Sequence, residues 1–198
     1  AVATQTAANL AFYSLPENVR LTWQVLNNSN CNVMGSGSSS GNCNTNYLRE
    51  FSGQHRANFF TWLEKLSVTG GTPLRRAMQR AGNFLSQTDI NGPYAYSLGK
   101  QKNPEYACRP TYHILMTDGI WNSDSASVGN ADNTNIASLP DGKSYTAIAP
   151  YKDGADNTVA DLAFNYWRRD ARTDIDNKIK PFISAANPSD STKEYWDP

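Results

Sequence analysis

Ala3, Ala7, Leu10 and Ala11 recur at helical spacing at the start of the chain, and Leu15-Pro16 predicts the stop, because proline cannot continue a helix. Val19, Leu21, Trp23 and Val25 then alternate with Arg20, Thr22 and Gln24. That is the period of a strand with one face on a core, and residues 47–51 supply its expected returning strand. Phe59, Trp62, Leu63 and Leu66 make an i, i+3, i+4, i+7 stripe that predicts a helix over 54–66. Leu74, Ala77, Met78, Ala81 and Leu85 predict a second over 73–87. Near the C-terminal end, Thr158-Val159-Ala160-Asp161 reads as a capping box ahead of Leu162, Ala163, Tyr166 and Trp167 on one helical face.

Between these helices, Thr111-Tyr112-His113-Ile114-Leu115-Met116-Thr117 is a continuous apolar, partly β-branched run that ends on Asp118-Gly119. Parallel strands are buried on both faces and look like this, and open α/β sheets place ligand groups just beyond the carboxyl ends of such strands. Asp118 is therefore a candidate ligand-binding carboxylate. Its companion is the loop Gly70-Gly71-Thr72-Pro73, where Pro73 suits the first position of a helix and Thr72 is both an N-cap candidate and a hydroxyl beside a loop. The order helix, strand, helix, helix, strand, helix fits an α/β sandwich.

Two polar tracts interrupt this pattern. Residues 27–46 form a Gly/Ser/Asn-rich excursion bracketed by Cys31 and Cys43. A disulfide between them would order a segment that buries no apolar area, contributing ~3 kcal/mol in the chain-entropy view. Cys108 is then left over. Residues 120–157 are rich in Asn, Asp, Ser and Gly, without sustained periodicity, and a segment that long is expected to be functional or disordered. The 198 residues carry 18 Lys+Arg against 18 Asp+Glu, so no net positive field marks a nucleic-acid or anionic-membrane partner. No apolar run reaches the roughly 20 residues of a membrane span. No basic, apolar and small-residue succession marks a signal peptide at Ala1, so the chain reads as processed or excerpted. The polar composition with few charges is that of a secreted surface.

Gly70-Gly71-Thr72-Pro73-Leu74-Arg75, with the long stretch from Cys108 through Thr117-Asp118-Gly119-Ile120-Trp121-Asn122, forms a distinctive pair. It resembles the von Willebrand factor A-like N-terminal domain of type IV pilus tip adhesins of the PilY/PilC group. The resemblance continues through Asn157-Thr158-Val159-Ala160-Asp161-Leu162-Ala163 and Tyr166-Trp167-Arg168-Arg169-Asp170, and covers nearly the whole chain apart from the excursion between the two cysteines. It implies a single, partial domain over 1–198: a doubly wound α/β sandwich that lacks its first and last core strands in this chain. It also implies a metal-ion-dependent adhesion site in which Thr72 and Asp118 are metal ligands for Mg²⁺ or another divalent cation such as Mn²⁺ or Ca²⁺. The loop carrying Trp121, Asn122 and Asp124 is the expected partner-binding loop. The Asp-x-Ser-x-Ser that such a site takes from the first strand is missing; Asp124-Ser125-Ala126-Ser127 has Ala where the first Ser belongs. The expected partners are a host-surface or extracellular-matrix receptor, minor pilins, and the remainder of the same polypeptide. The expected location is extracellular, at the pilus tip or outer surface of a Gram-negative bacterium, in support of twitching motility.

A hard cation takes oxygen ligands and retains waters, so a site of low protein charge can accept a carboxylate from a bound partner. Against the metal roles stand simpler ones: Thr72 as an N-cap, and Asp118 as the first residue of an Asp-Gly turn that caps its own backbone. Asp124, Asp132, Asp141, Asp153 and Asp156 offer oxygen to Ca²⁺, but without EF-hand spacing, and the tract reads as a solvated loop. His113 reads as a hydrogen-bonded core histidine and His55 as surface. A hydrolase using Asp118 with a metal, or Cys108 with His113, is the alternative from another class. No Gly-x-Ser-x-Gly elbow, phosphate-cradling loop or His-Glu-x-x-His accompanies those residues, so the chain reads as a binding module and not an enzyme. A structural pilus-assembly module with a vestigial metal face is the third reading.

Overall fold

The computed structural model describes residues 2–26, 48–66, 70–97, 100–122, 124–140 and 142–176. The expected Cys31–Cys43 disulfide lies outside them. Along the chain run α1 (Val2–Tyr13), β1 (Arg20–Leu21), β2 (Arg49–Glu50), α2 (Gly53–Glu64), α3 (Leu74–Leu85) and α4 (Val159–Trp167). All four helices fall where the apolar spacing places them. β1 and β2 pair antiparallel, Arg20 opposite Glu50 and Leu21 opposite Arg49, so the expected returning strand does pair with the first, over two residues each.

The first half is built on aromatic packing. Phe59 on α2 contacts Phe51, Trp23, Phe12, Phe60 and Trp62, with ring centroids 5.0–5.8 Å apart, a separation at which tilted and edge-on pairs attract. Ala8 and Leu63 complete this core, and α1 lies along α2. His55 belongs to it rather than to the surface: it is buried, its Nε2 is 2.7 Å from the Leu21 carbonyl, and its ring lies against Trp23. Spacing at one helix start could not reveal this, because the partners come from β1 and the chain after it.

The second half pairs α3 with α4. Gly82 makes the approach possible, since a Cβ there would fall inside the Tyr166 ring, and the Tyr166 hydroxyl donates to the Gln79 carbonyl at 3.0 Å. The two halves are joined by polar side chains. Gln24 Nε2 donates to the Ala77 carbonyl at 2.9 Å, and Arg80 reaches the carbonyls of Val25 and Leu26. Arg172, buried, gathers Glu105, Asp174 and the Gln87 carbonyl, tying the chain after α4 to the segment after α3. The Arg172 guanidinium, first through its hydrogen bond, holds Asp174 down to a pKa of about 2.

The apolar run 111–117 differs from its expectation. Among the described residues it joins no ladder, and Tyr112, Ile114 and Met116 are exposed, at 86%, 73% and 57%. His113 is exposed as well, so it is not a core histidine here. A strand needs an edge to pair with, and the sheet present among these residues is two strands of two residues each.

Replacing Phe59 by Ala removes the ring on which the first core converges. A loss of ~3–5 kcal/mol in urea unfolding is expected, as for other buried aromatic truncations.

Candidate functional site

α3 begins after a proline, with unpaired backbone N–H groups at its first turn. The Thr72 carbonyl takes the Leu74 amide at 2.9 Å, but the expected hydroxyl cap is not made: Pro73 holds the N-cap position and there is no side-chain cap from it. The acceptor is Asp124, whose Oδ2 takes the Arg75 amide and whose Oδ1 takes the Arg76 amide at 3.0 Å. The Arg75 guanidinium closes the loop on it, donating from Nη2 to the Asp124 carbonyl at 2.7 Å and lying 3.4 Å from its carboxylate through Nε. The Asp124 side chain is fully buried. A charged acceptor at a helix N-terminus is favoured by the free amides and by the helix dipole together, so it outcompetes a neutral hydroxyl. Asp124, expected to face a partner, is spent inside the protein.

Beside this clamp, Thr72 meets Asn122. Asn122 Oδ1 accepts the Thr72 amide at 2.9 Å, and the Asn122 amide donates to the Thr72 carbonyl at 3.2 Å. The loop after Asp118 is thus fastened to the Gly-Gly-Thr-Pro loop by two bonds between one residue pair. Thr72 is half-buried and uses its backbone in this contact, while Trp121 stands 50% exposed on the outer side. Asp118 is exposed; its Oδ1 accepts the Ile120 amide at 3.4 Å, an Asx-type turn over Gly119, whose φ of 95° suits only glycine comfortably. Among the described residues no three His, Cys, Asp or Glu side chains stand close enough to hold a metal ion. Cys108, a free thiol, lies on the surface.

A third segment reaches the same helix end. Arg75 Nη1 donates to the Asn157 carbonyl at 2.9 Å. Asn157 sits at φ 59°, and its side-chain oxygen accepts the amides of Val128 and Gly129 at 2.7 and 2.8 Å. The polar tract is therefore tied down at particular points, with Ala131, Asp132, Leu139 and Ala147 buried, while most of its described residues, Asp153 and Asp156 among them, are exposed as expected of a solvated loop. Asp161 is its hub. It makes the predicted capping box with Thr158 and accepts the Asp132 amide at 3.2 Å. Burial alone would raise the Asp161 pKa, but the hydrogen bonds from the Thr158 backbone and hydroxyl and from the amides of Asp132 and Ala131 outweigh it, and the net shift is downward.

The chain is 67% identical over all of its 198 residues to the type IV pilus biogenesis factor PilY1 of Pseudomonas aeruginosa strain PAO1, and 66% identical to that of strain PAK. With the protein of the same name from strain UCBPP-PA14 it shares 51% over 197 residues. The whole chain is homologous to a segment of PilY1. It spans 17% of the length of the first two of these curated relatives and 16% of the third. No family profile matches the chain, and no solved structure does. Among the described residues no helix is long and apolar enough to cross a membrane.

Two outcomes follow from the hydrogen bonds. Asp124→Ala leaves Arg75 without its buried partner and two helix amides open, and should cost ~3–5 kcal/mol in chemical unfolding. Asp161, with its lowered pKa, contributes stability that is present above the unfolded carboxyl value of about 3.9 and is lost as pH falls through the folded value. In thermal melts the gap between wild type and Asp161→Asn should therefore be widest near neutral pH and shrink in acid.

Proposed function

We propose that the chain is a von Willebrand factor A-like α/β module of a type IV pilus biogenesis factor, acting at the pilus tip on the outer surface of a Gram-negative bacterium. The observation that carries this is the 67% identity, over the full chain, to PilY1. In this reading residues 111–117 are a core strand whose exposed apolar faces are covered by strands from the remainder of a longer polypeptide. Thr72 and Asp118 line a face for Mg²⁺ or another divalent cation, and a receptor or pilus component completes the metal's shell. What supports the face is the fastening of the Thr72 loop to the Asp118–Asn122 loop, which brings a hydroxyl-bearing and a carboxylate-bearing loop to one end of α3. The module binds and does not catalyse.

A second reading is favoured by a specific observation. Asp118 already accepts its own turn's amide, and Ile120 and Trp121 beside it are exposed. These features suit an assembly module that holds minor pilins through an apolar loop without a functional metal.

Asp118→Ala in the full-length protein separates the two. Under the adhesion reading, pili still form, surface attachment falls, and calorimetry shows Mg²⁺ binding by the wild type that the variant lacks. Loss of pili would favour assembly. Unchanged Mg²⁺ binding and unchanged attachment would overturn the metal face.

A further inference from the structure

We propose that Asp132 anchors a Ca²⁺ site within the 128–157 segment, separate from the Thr72 and Asp118 face. Asp132 is 2% exposed, and its Oδ2 meets no donor. Its Oδ1 has only the Asp153 amide, at 3.4 Å. Among the described residues this is the one buried carboxylate oxygen without a partner, and no Lys or Arg forms an ion pair with it. A buried carboxylate left this way costs several kcal/mol unless a cation or a proton compensates it.

The neighbouring donors cannot help, because Asp161 has taken them. The Asp132 amide itself, the Thr158 amide and the Thr158 hydroxyl all serve the Asp161 carboxylate. The segment whose amide touches Asp132 carries further oxygen donors. Asp153, whose amide already touches Asp132, carries a second carboxylate; its Oδ1 accepts the Ala155 amide and Oδ2 has no bond among these. The Asp153 carbonyl is held close by the Asn130 amide group at 3.1 Å, and the Asn130 side-chain oxygen accepts the Asn133 amide. Oxygen ligands without sulfur or imidazole select a hard cation, and a ligand set of carboxylates, carbonyls and waters at irregular loop positions suits Ca²⁺ better than octahedral Mg²⁺. With two carboxylates and no third acidic side chain, the affinity belongs with extracellular modules, on the order of 10⁻⁴–10⁻³ M.

The test is Ca²⁺ calorimetry and thermal unfolding of the full-length protein, wild type against Asp132→Asn and Asp153→Asn, in saturating Mg²⁺ to occupy the Thr72 and Asp118 face. Asp132→Asn is expected to lose one equivalent of Ca²⁺ and Asp153→Asn to weaken that equivalent at least tenfold. In chelator, Asp132→Asn should melt at or above the wild type, since an uncompensated charge has gone, which separates lost binding from lost folding. Ca²⁺ should then raise the wild-type melting temperature and leave that of Asp132→Asn where it is. Equal Ca²⁺ stoichiometry in wild type, Asp132→Asn and Asp153→Asn would overturn the site. So would a wild-type melting temperature unmoved at about 10 mM Ca²⁺, tenfold above the expected range, in which case a proton compensates Asp132.

Discussion

The carboxylate of Asp124 reaches 48 or 49 positions back along the chain to close the N-terminus of α3, and the candidate site depends on that contact. It satisfies two helix amides, neutralises Arg75 in a buried setting, and fixes the loop that carries Asn122 against Thr72. Arg75 then extends the same contact to Asn157. Three segments far apart in sequence meet at one helix end because one anion there is favoured by free N–H groups, by the dipole and by a guanidinium at once.

The rest of the polar tract follows the same economy. A segment with few large apolar residues cannot be held by burial, so it is held by side chains bonding to backbone. Asn157 takes two amides, Asp161 takes the turn at Asp132, and Asn135 takes the Ala147 amide. Such bonds are worth about 1 kcal/mol each in exchange for water, but losing one inside leaves an unsatisfied group and costs more. This makes the tract rigid at its knots. It also concentrates buried negative charge at Asp132 and Asp161, one fully hydrogen-bonded and the other not.

The exposed run at 111–117 contrasts with the aromatic core around Phe59. Both are apolar in sequence, yet only the second has partners close enough along the chain to bury it. Helix α2 brings its own stripe to α1 and to the hairpin. The run has Ile and Met on faces that no described strand or helix covers.

The sequence by itself determined the local elements. The i, i+3, i+4 stripes located α2 and α3, and the Thr158–Asp161 box located the start of α4, because each signal is carried within about one or two turns of chain; the alternation over 19–25 became a strand only at Arg20–Leu21. The loop of Thr72 does meet the loop that follows Asp118, through the Thr72–Asn122 bonds. Only the tertiary structure decided that Asp124 rather than Thr72 caps α3, that His55 is buried, and that the long Asn/Asp tract is ordered around Asp161. Each of those depends on a partner dozens of residues away. Spacing reports which face a side chain takes within its own element, whereas the charge, amide or ring that meets it there is set by how distant elements pack.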